Sequence, residues 1–288
     1  MDATVEYDSC QVPRGPSFSP EMNFFSLRNW FLQYDSGLVA FSAGVDSSVL
    51  AAAAHNALGG RAVAVTSTSP SFARSELDSA IKVAKEIGIE LIVVTQDDLA
   101  SKDYVANQVS RCYFCRSNLV QAIMPIVRQR RISICVDGTH AEDMKSPRPG
   151  VKAFREAGFR APFVELGFTK EDIRAIARML KLSNAEKPPE ACLSSRIAYG
   201  QEIDENTLRQ IEAAESFIRE LVSARIIRVR TIGSRAIIEL DPESIEKAKE
   251  LSLGIERKLR SLGYMSVEID PNGYSPGRML ELFVHDNE

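Results

Sequence analysis

Apolar positions along the first two thirds of the chain come in two kinds of run, and their alternation sets the expected fold. Leu38 to Phe41, Arg61 to Thr66, Glu90 to Val94 and Ser133 to Val136 are brief stretches of strand length. Between them lie Val49 to Leu58, rich in alanine, and Phe72 to Ile87, with apolar residues at helical spacing. Cys112 to Arg128 also reads as a helix, in which Pro125 predicts a kink or an early stop. A short helix over Leu27 to Tyr34 precedes the first strand. Another follows over Thr169 to Leu180, with Thr169 as N-cap and Asp172 three residues on. Strands separated by helices of this length predict an α/β domain: a parallel sheet with helices on both faces.

The polar stretch 138–160 is punctuated by Pro147, Pro149, Gly150 and Gly158 and reads as an excursion over the sheet. Residues 183–203 carry Pro188, Pro189 and Gly200 and few helix signals, so an inter-domain connection is expected there. Beyond it the order changes. Glu205 to Val222 is helical, and Ile226 to Arg230 and Ala236 to Leu240 flank a hairpin-like Ile232-Gly233-Ser234. Pro242 to Leu262 is helical and Tyr264 to Ile269 is a strand, which makes a small α+β unit. The expected organisation is a loose tail over 1–21, an α/β domain over 22–185 and an α+β domain over 186–288. About two domains is also what 288 residues suggest at roughly 150 per domain.

Composition narrows the class. A spanning helix needs about 20 apolar residues in a row, and no such stretch occurs. No signal segment opens the chain, so secretion is not expected. Residues 201–288 carry 12 basic against 17 acidic side chains and the rest is near neutral, so composition does not argue for nucleic acid as a partner. The five cysteines are Cys10, Cys112, Cys115, Cys135 and Cys192. An odd count without a signal segment does not read as a disulfide framework, and a reducing cytoplasm is expected. Cys135 sits inside a strand and reads as core, and Cys10 lies in the tail. His55 and His285 carry no signal beyond surface or helix packing.

Candidate chemistry begins at Ser42-Ala43-Gly44-Val45-Asp46-Ser47-Ser48, between a strand and a helix. A turn of small residues there lets backbone N–H groups converge on an anion, and the helix N-terminus adds its positive end. Ser42, Ser47 and Ser48 add hydroxyls. The segment lacks the Gly-Lys-Ser/Thr ending of a Walker A loop and the dinucleotide fingerprint. It resembles the phosphate loop of the PP-loop ATP pyrophosphatases, with Ala43 in the place of a glycine. An added methyl there is tolerable if φ is negative.

Arg111-Cys112-Tyr113-Phe114-Cys115-Arg116 places two thiols three apart near a helix start. The adjacent arginines and the helix end are expected to lower their pKa values. A third, Cys192, lies in Glu190-Ala191-Cys192-Leu193-Ser194-Ser195-Arg196. Three thiols fit an iron–sulfur cluster with one iron open, a zinc site with His140 as fourth ligand, a redox pair, or packed cysteines.

Taken together, residues from about 24 to 280 resemble the LarE family, the ATP-dependent sulfur transferases of nickel-pincer nucleotide biosynthesis. The resemblance rests on the phosphate loop, Asn107 to Arg116, Asp137-Gly138-Thr139 with Asp143, Arg148-Pro149-Gly150, and Cys192 to Arg196 followed by Tyr199-Gly200. It implies that the carboxylate of a pyridinium biscarboxylic acid mononucleotide attacks the α-phosphorus of ATP. Pyrophosphate leaves, an acyl-adenylate forms, and sulfur displaces AMP to give a thiocarboxylate. The resemblance gives the ATP and pyrophosphate contacts to residues 42–48 and Gly138, and the adenine to the end of the second strand at Val65 and Thr66. It places Mg²⁺ at Asp46 and the sulfur at Cys192. Some members have that single cysteine and sacrifice its sulfur. Others have three that hold a [4Fe–4S] cluster and accept sulfide from a sulfur source. With Cys112, Cys115 and Cys192 this chain resembles the second type. Arg228 and Arg230, two apart on one strand, share a face, and with Arg278 they resemble the family's seat for the substrate phosphate at a subunit interface in a homo-oligomeric ring. Arg196, close to Cys192, is a candidate for the same seat or for lowering the thiol pKa. Rival readings are a tRNA thiolase with the same cluster, an amide-forming PP-loop enzyme, and a non-catalytic nucleotide- or metal-binding module.

Overall fold

A computed structural model describes residues 19–145, 148–188, 190–275 and 278–279. Helix α1 (Pro20–Phe31) opens it, seven residues before the expected start at Leu27 and within the expected tail. Proline is no obstacle at the first helical position, because its missing N–H would have no partner there. The Ser19 side chain accepts from the Met22 N–H and closes the turn. Cys10 and His285 lie outside the described residues.

Strand β1 (Gly37–Ala40) leads to α2 (Val45–Leu58), β2 (Ala62–Thr68), α3 (Arg74–Ile87) and β3 (Glu90–Thr95). A single turn, α4 (Lys102–Val105), the long α5 (Arg111–Arg130) and β4 (Ile134–Val136) follow. The four strands are parallel in the order β3-β2-β1-β4, the α/β sheet expected from the alternation. Successive strand residues point to opposite faces. Val39 packs with Leu27, Val49, Leu50 and Ile173 on one side, while Leu38 packs with Val63, Leu119, Ile123 and Phe154 on the other. The strand order reverses between β1 and β4, so the segments leaving their C-terminal ends share one crevice.

Pro125 neither stops nor shortens α5, which runs on to Arg130, held to the sheet by buried Leu119 and Ile123. Cys135 packs into that same face, and burial pushes its thiol up to about 11. The stretch after β4 is not a free excursion among the described residues. It forms α6 (Pro149–Glu156), whose Phe154 is buried and stacks on Phe159 at 4.7 Å between ring centres. A short α7 (Pro162–Glu165) precedes α8 (Lys170–Met179), which opens with the expected cap: Thr169 and Asp172 satisfy each other's backbone N–H groups.

The last part holds α9 (Glu205–Val222), β5 (Ile227–Ile232), β6 (Arg235–Leu240), α10 (Pro242–Glu250), α11 (Ser252–Ser261) and β7 (Ser266–Ile269). The hairpin β5-β6 turns at Gly233, where φ is +55°, and β7 joins β6 in parallel. The expected single helix over 242–262 is two, meeting at Leu251, where Ser252 and Gly254 offer weak helix propensity. No helix of the described residues is long and apolar enough to cross a membrane.

Candidate functional site

Four segments build the phosphate loop. The Phe41 N–H donates to the Val65 carbonyl at 2.8 Å, which ties the exit of β1 to β2. The chain then turns through Ala43 at φ +54°. The negative φ expected of an alanine is not what forms. The left-handed conformation costs about 1 kcal/mol, and complete burial of the methyl in the core offsets much of it. Asn184, which the sequence did not single out, donates to the Ala43 carbonyl and to Ser48 Oγ, both at 2.8 Å. Gly44 is the N-cap of α2 and contributes no side-chain cap, so the first N–H groups of the helix face the crevice without a side-chain acceptor from the cap.

The hydroxyls divide. Ser48 is fully buried and donates to the Gly44 carbonyl at 2.9 Å, so it shapes the loop from within. Ser42 and Ser47 lie 3.3 Å apart, Oγ to Oγ, on the loop itself. Val45 is buried in the core and can offer only its backbone. Val65 is likewise buried, packed in the opposite face of the sheet, while Thr66 is half-buried. Gly138, just past β4, approaches so closely that a Cβ there would stand 3.1 Å from Asp46 Cβ and from the Ser47 nitrogen. Glycine is favoured at that position by close contact rather than by conformation.

Asp46, in the first turn of α2, does not stand alone. Lys170 Nζ lies 2.5 Å from both of its carboxylate oxygens. Each side chain is one quarter exposed. A cation already seated on this carboxylate shows that the position suits one, and carboxylate plus phosphate oxygens is the donor set Mg²⁺ takes.

Cys192 sits on a short segment clamped from three directions. The Leu193 N–H donates to the Ser71 carbonyl, beyond β2, at 2.8 Å. Tyr104 OH lies 2.5 Å from both Ser71 Oγ and Ser194 Oγ. On the other side Ala198 N–H donates to the Thr231 carbonyl of β5 at 3.0 Å. Asn107, at φ +51°, donates to the carbonyls of Ala198 and Gln201 at 2.8 and 2.9 Å and accepts from Arg111, which also donates to the Ser194 carbonyl. Arg111 stands over the Tyr199 ring at 5.4 Å. The motif from Asn107 to Arg116 thus holds the Cys192 segment in place.

Cys112 is exposed and Cys115 packs beside Tyr104 and Leu193. Gly150 lies against both Cys112 and Arg116, which explains its place at the start of α6. Burial pushes the Cys115 thiol up to about 12, helped by the Asp98 carboxylate and by Cys192 and Cys112 and opposed by Arg116. The expected lowering by arginine does not win there. Burial works against the Arg111 charge, and Cys192, Cys112 and two tyrosines outweigh it and raise its pKa. Cys115 and Arg111 thus each lie within electrostatic reach of Cys112 and Cys192. Among the described residues no three His, Cys, Asp or Glu side chains stand close enough to hold a single ion. His140 pairs with Asp143 at 3.4 Å.

Arg196, Arg228 and Arg230 are buried, not solvated, and Arg278 is partly exposed. Arg230 donates to Glu239 Oε2 at 3.0 and 2.8 Å and to the Ser195 carbonyl at 3.1 Å. Arg278 reaches Asp270 at 2.7 Å and Glu239 at 3.8 Å. Arg228 lies over the Tyr274 ring at 5.4 Å, and burial followed by the Arg196 charge lowers its pKa to about 10. Arg196 is committed elsewhere: it donates to Glu215 at 2.8 and 3.1 Å and to the Cys192 carbonyl at 2.8 Å. Its role is to clamp the Cys192 segment onto α9. An open groove of about 410 Å³ between α3 and α9, lined by Arg74, Arg209 and Glu212, contains none of these residues.

A parallel sheet whose first strand runs through a small-residue turn into a helix, beside its switch point, defines an α/β protein of the PP-loop type. No family model matches the chain. It is 33% identical over 242 residues to the pyridinium-3,5-bisthiocarboxylic acid mononucleotide synthase of Lactiplantibacillus plantarum, covering 84% of this chain and 87% of that protein. It is 37% identical over 261 residues to an uncharacterized protein of Synechocystis sp., covering 90% and 97%. An uncharacterized protein of Methanocaldococcus jannaschii is 28% identical over 233 residues, covering 81% and 88%. The chain belongs to the LarE family, that of the Lactiplantibacillus synthase.

Proposed function

We propose that this chain is an ATP-dependent sulfur transferase that converts a carboxylate of a pyridinium biscarboxylic acid mononucleotide to a thiocarboxylate. The observation that carries the reading is the position of the Cys192 segment. Residues 193–198 are hydrogen bonded to Ser71 on the nucleotide side and to Thr231 on the arginine side. An acceptor with its phosphate near Arg228, Arg230 and Arg278 then has Cys192 between that anchor and the phosphate loop.

In this reading α2's N-terminal N–H groups, with Ser42 and Ser47, stabilise the charge that gathers on pyrophosphate as it leaves. Asp46 holds Mg²⁺ against the phosphates. A free carboxylate is a poor acyl donor, and its adenylate has a good leaving group, so sulfur attack follows activation. Arg228, Arg230 and Arg278 supply the positive charge that anchors the acceptor's phosphate. Arg196, Asn107 and Arg111 fix the backbone of the Cys192 segment, so the sulfur meets the acyl carbon without a search.

The donor set of Cys112, Cys115 and Cys192 fits a [4Fe–4S] cluster in its chemistry: three thiols, with the buried Arg111 near Cys112 and Cys192. Bound there, a cluster supplies an iron without a protein ligand and with it the sulfur that the acceptor receives. A neutral Cys115 must lose its proton to become a ligand, so assembly should release protons. Incubation with ATP, Mg²⁺ and the biscarboxylate mononucleotide tests the reading. Release of pyrophosphate and AMP with a thiocarboxylate product is expected, and absence of acceptor-dependent pyrophosphate release would refute it. Protein purified without oxygen is expected to hold about four iron and at least four sulfide per chain.

A further inference from the structure

Lys170 belongs to none of the motifs, yet its ammonium holds the carboxylate of the phosphate loop. We propose that Lys170 is a phosphate-contacting residue that exchanges with Mg²⁺: the metal takes the Asp46 carboxylate, and the ammonium passes to the phosphate chain of the nucleotide. The inference rests on reading residues 42–48 as a Mg·ATP loop.

Three observations carry it. The first is occupancy. Nζ lies 2.5 Å from Oδ1 and from Oδ2, so both oxygens are engaged. Mg²⁺ needs a carboxylate oxygen at about 2.0–2.1 Å, and the ammonium cannot keep this position beside it. The second is placement. Lys170 is the first residue of α8, where the helix dipole disfavours a cation. The residues after it, Glu171 and Asp172, are the acids that position favours. The lysine is held there by a carboxylate 124 residues earlier in the chain. The third is mobility of the charge. Both partners are one quarter exposed, and a lysine stem can swing where an arginine fork would be fixed.

The exchange has a thermodynamic consequence. Mg²⁺ without a nucleotide would leave two cations facing each other in one crevice. A nucleotide brings the anion that the displaced ammonium needs. Metal and nucleotide therefore bind cooperatively, each tightening the other by the same factor.

Mn²⁺ replaces Mg²⁺ as the probe, and its binding to the full chain is followed by electron paramagnetic resonance, alone and with α,β-methylene ATP. For the native protein the nucleotide should tighten Mn²⁺ by at least about tenfold. Lys170→Met should bind Mn²⁺ alone about tenfold more tightly than the native protein, and the nucleotide's further effect should shrink towards none. Lys170→Gln, also uncharged but polar, should move in the same direction. Asp46→Asn should weaken Mn²⁺ throughout. A lysine that served only to hold the fold would not improve metal binding when removed. The proposal is overturned if both variants bind Mn²⁺ alone no better than the native protein while nucleotide still tightens the metal there. If the native protein binds Mn²⁺ neither alone nor with nucleotide, the Mg·ATP reading itself fails and takes this inference with it.

Discussion

Around Gly44 the chain offers backbone N–H groups, small side chains and one carboxylate already held by Lys170. Around Arg228 it offers four guanidinium groups, of Arg196, Arg228, Arg230 and Arg278, among the carboxylates of Glu215, Glu239 and Asp270. Both regions suit phosphate. The first does so with neutral dipoles, which need no counter-ion when buried. The second does so with full charges, which must be compensated inside the protein. The difference predicts opposite sensitivities. Charge changes at the loop should cost activity and spare stability, while those in the arginine network should cost both.

The largest effect is expected at Asp46. Asp46→Asn keeps the shape of the first turn of α2 and removes the carboxylate proposed to hold Mg²⁺, so pyrophosphate release should fall by about a thousandfold, several kcal/mol of lost electrostatic stabilisation. Its melting temperature should stay close to native. Arg230→Met comes next. Among the described residues it leaves the fully buried Glu239 the 3.8 Å contact to Arg278. A loss of about 3–5 kcal/mol is expected in urea unfolding, and Glu239→Gln in the same chain should recover a large part of it. A full recovery of stability without recovery of acceptor binding would sharpen the contrast between fold and function in this network.

Between the two regions, Asn107→Ala removes the donor to the Ala198 and Gln201 carbonyls and the acceptor of Arg111. About 2 kcal/mol should be lost, with faster alkylation of Cys192 as its segment loosens. Unchanged alkylation would mean that Tyr104 and Arg196 suffice to hold it. The smallest effect belongs to Ala43→Gly. Relief of the positive φ and loss of the buried methyl nearly cancel, so stability should shift by less than about 1 kcal/mol.

The two regions also differed in how far the sequence revealed them. The strand–helix alternation gave the sheet, and Ser42 to Ser48 gave the loop, because both signals are local. The partners that complete the loop, Lys170 and Asn184, come from 124 and 141 residues away and carry no pattern of their own. The spacing of Arg228 and Arg230 gave a shared face, yet strand periodicity cannot say that the face is buried against Glu239. Cys115 shows the same limit. Neighbouring arginines suggested a lowered pKa, and burial, which the local sequence does not display, reverses the sign. Pro125 misled in the other direction, since packing outvotes it, and the expected tail hid a helix that Pro20 opens at its first position.

The central claim is that activation at the loop and delivery at Cys192 are separate half-reactions on one acceptor. Cys192→Ala measures it directly, with pyrophosphate and thiocarboxylate followed in the same incubation with ATP, Mg²⁺, the biscarboxylate mononucleotide and a sulfide source. The account predicts acceptor-dependent pyrophosphate release at close to the native rate and no thiocarboxylate. Thiocarboxylate formed at the native rate by this variant would contradict it.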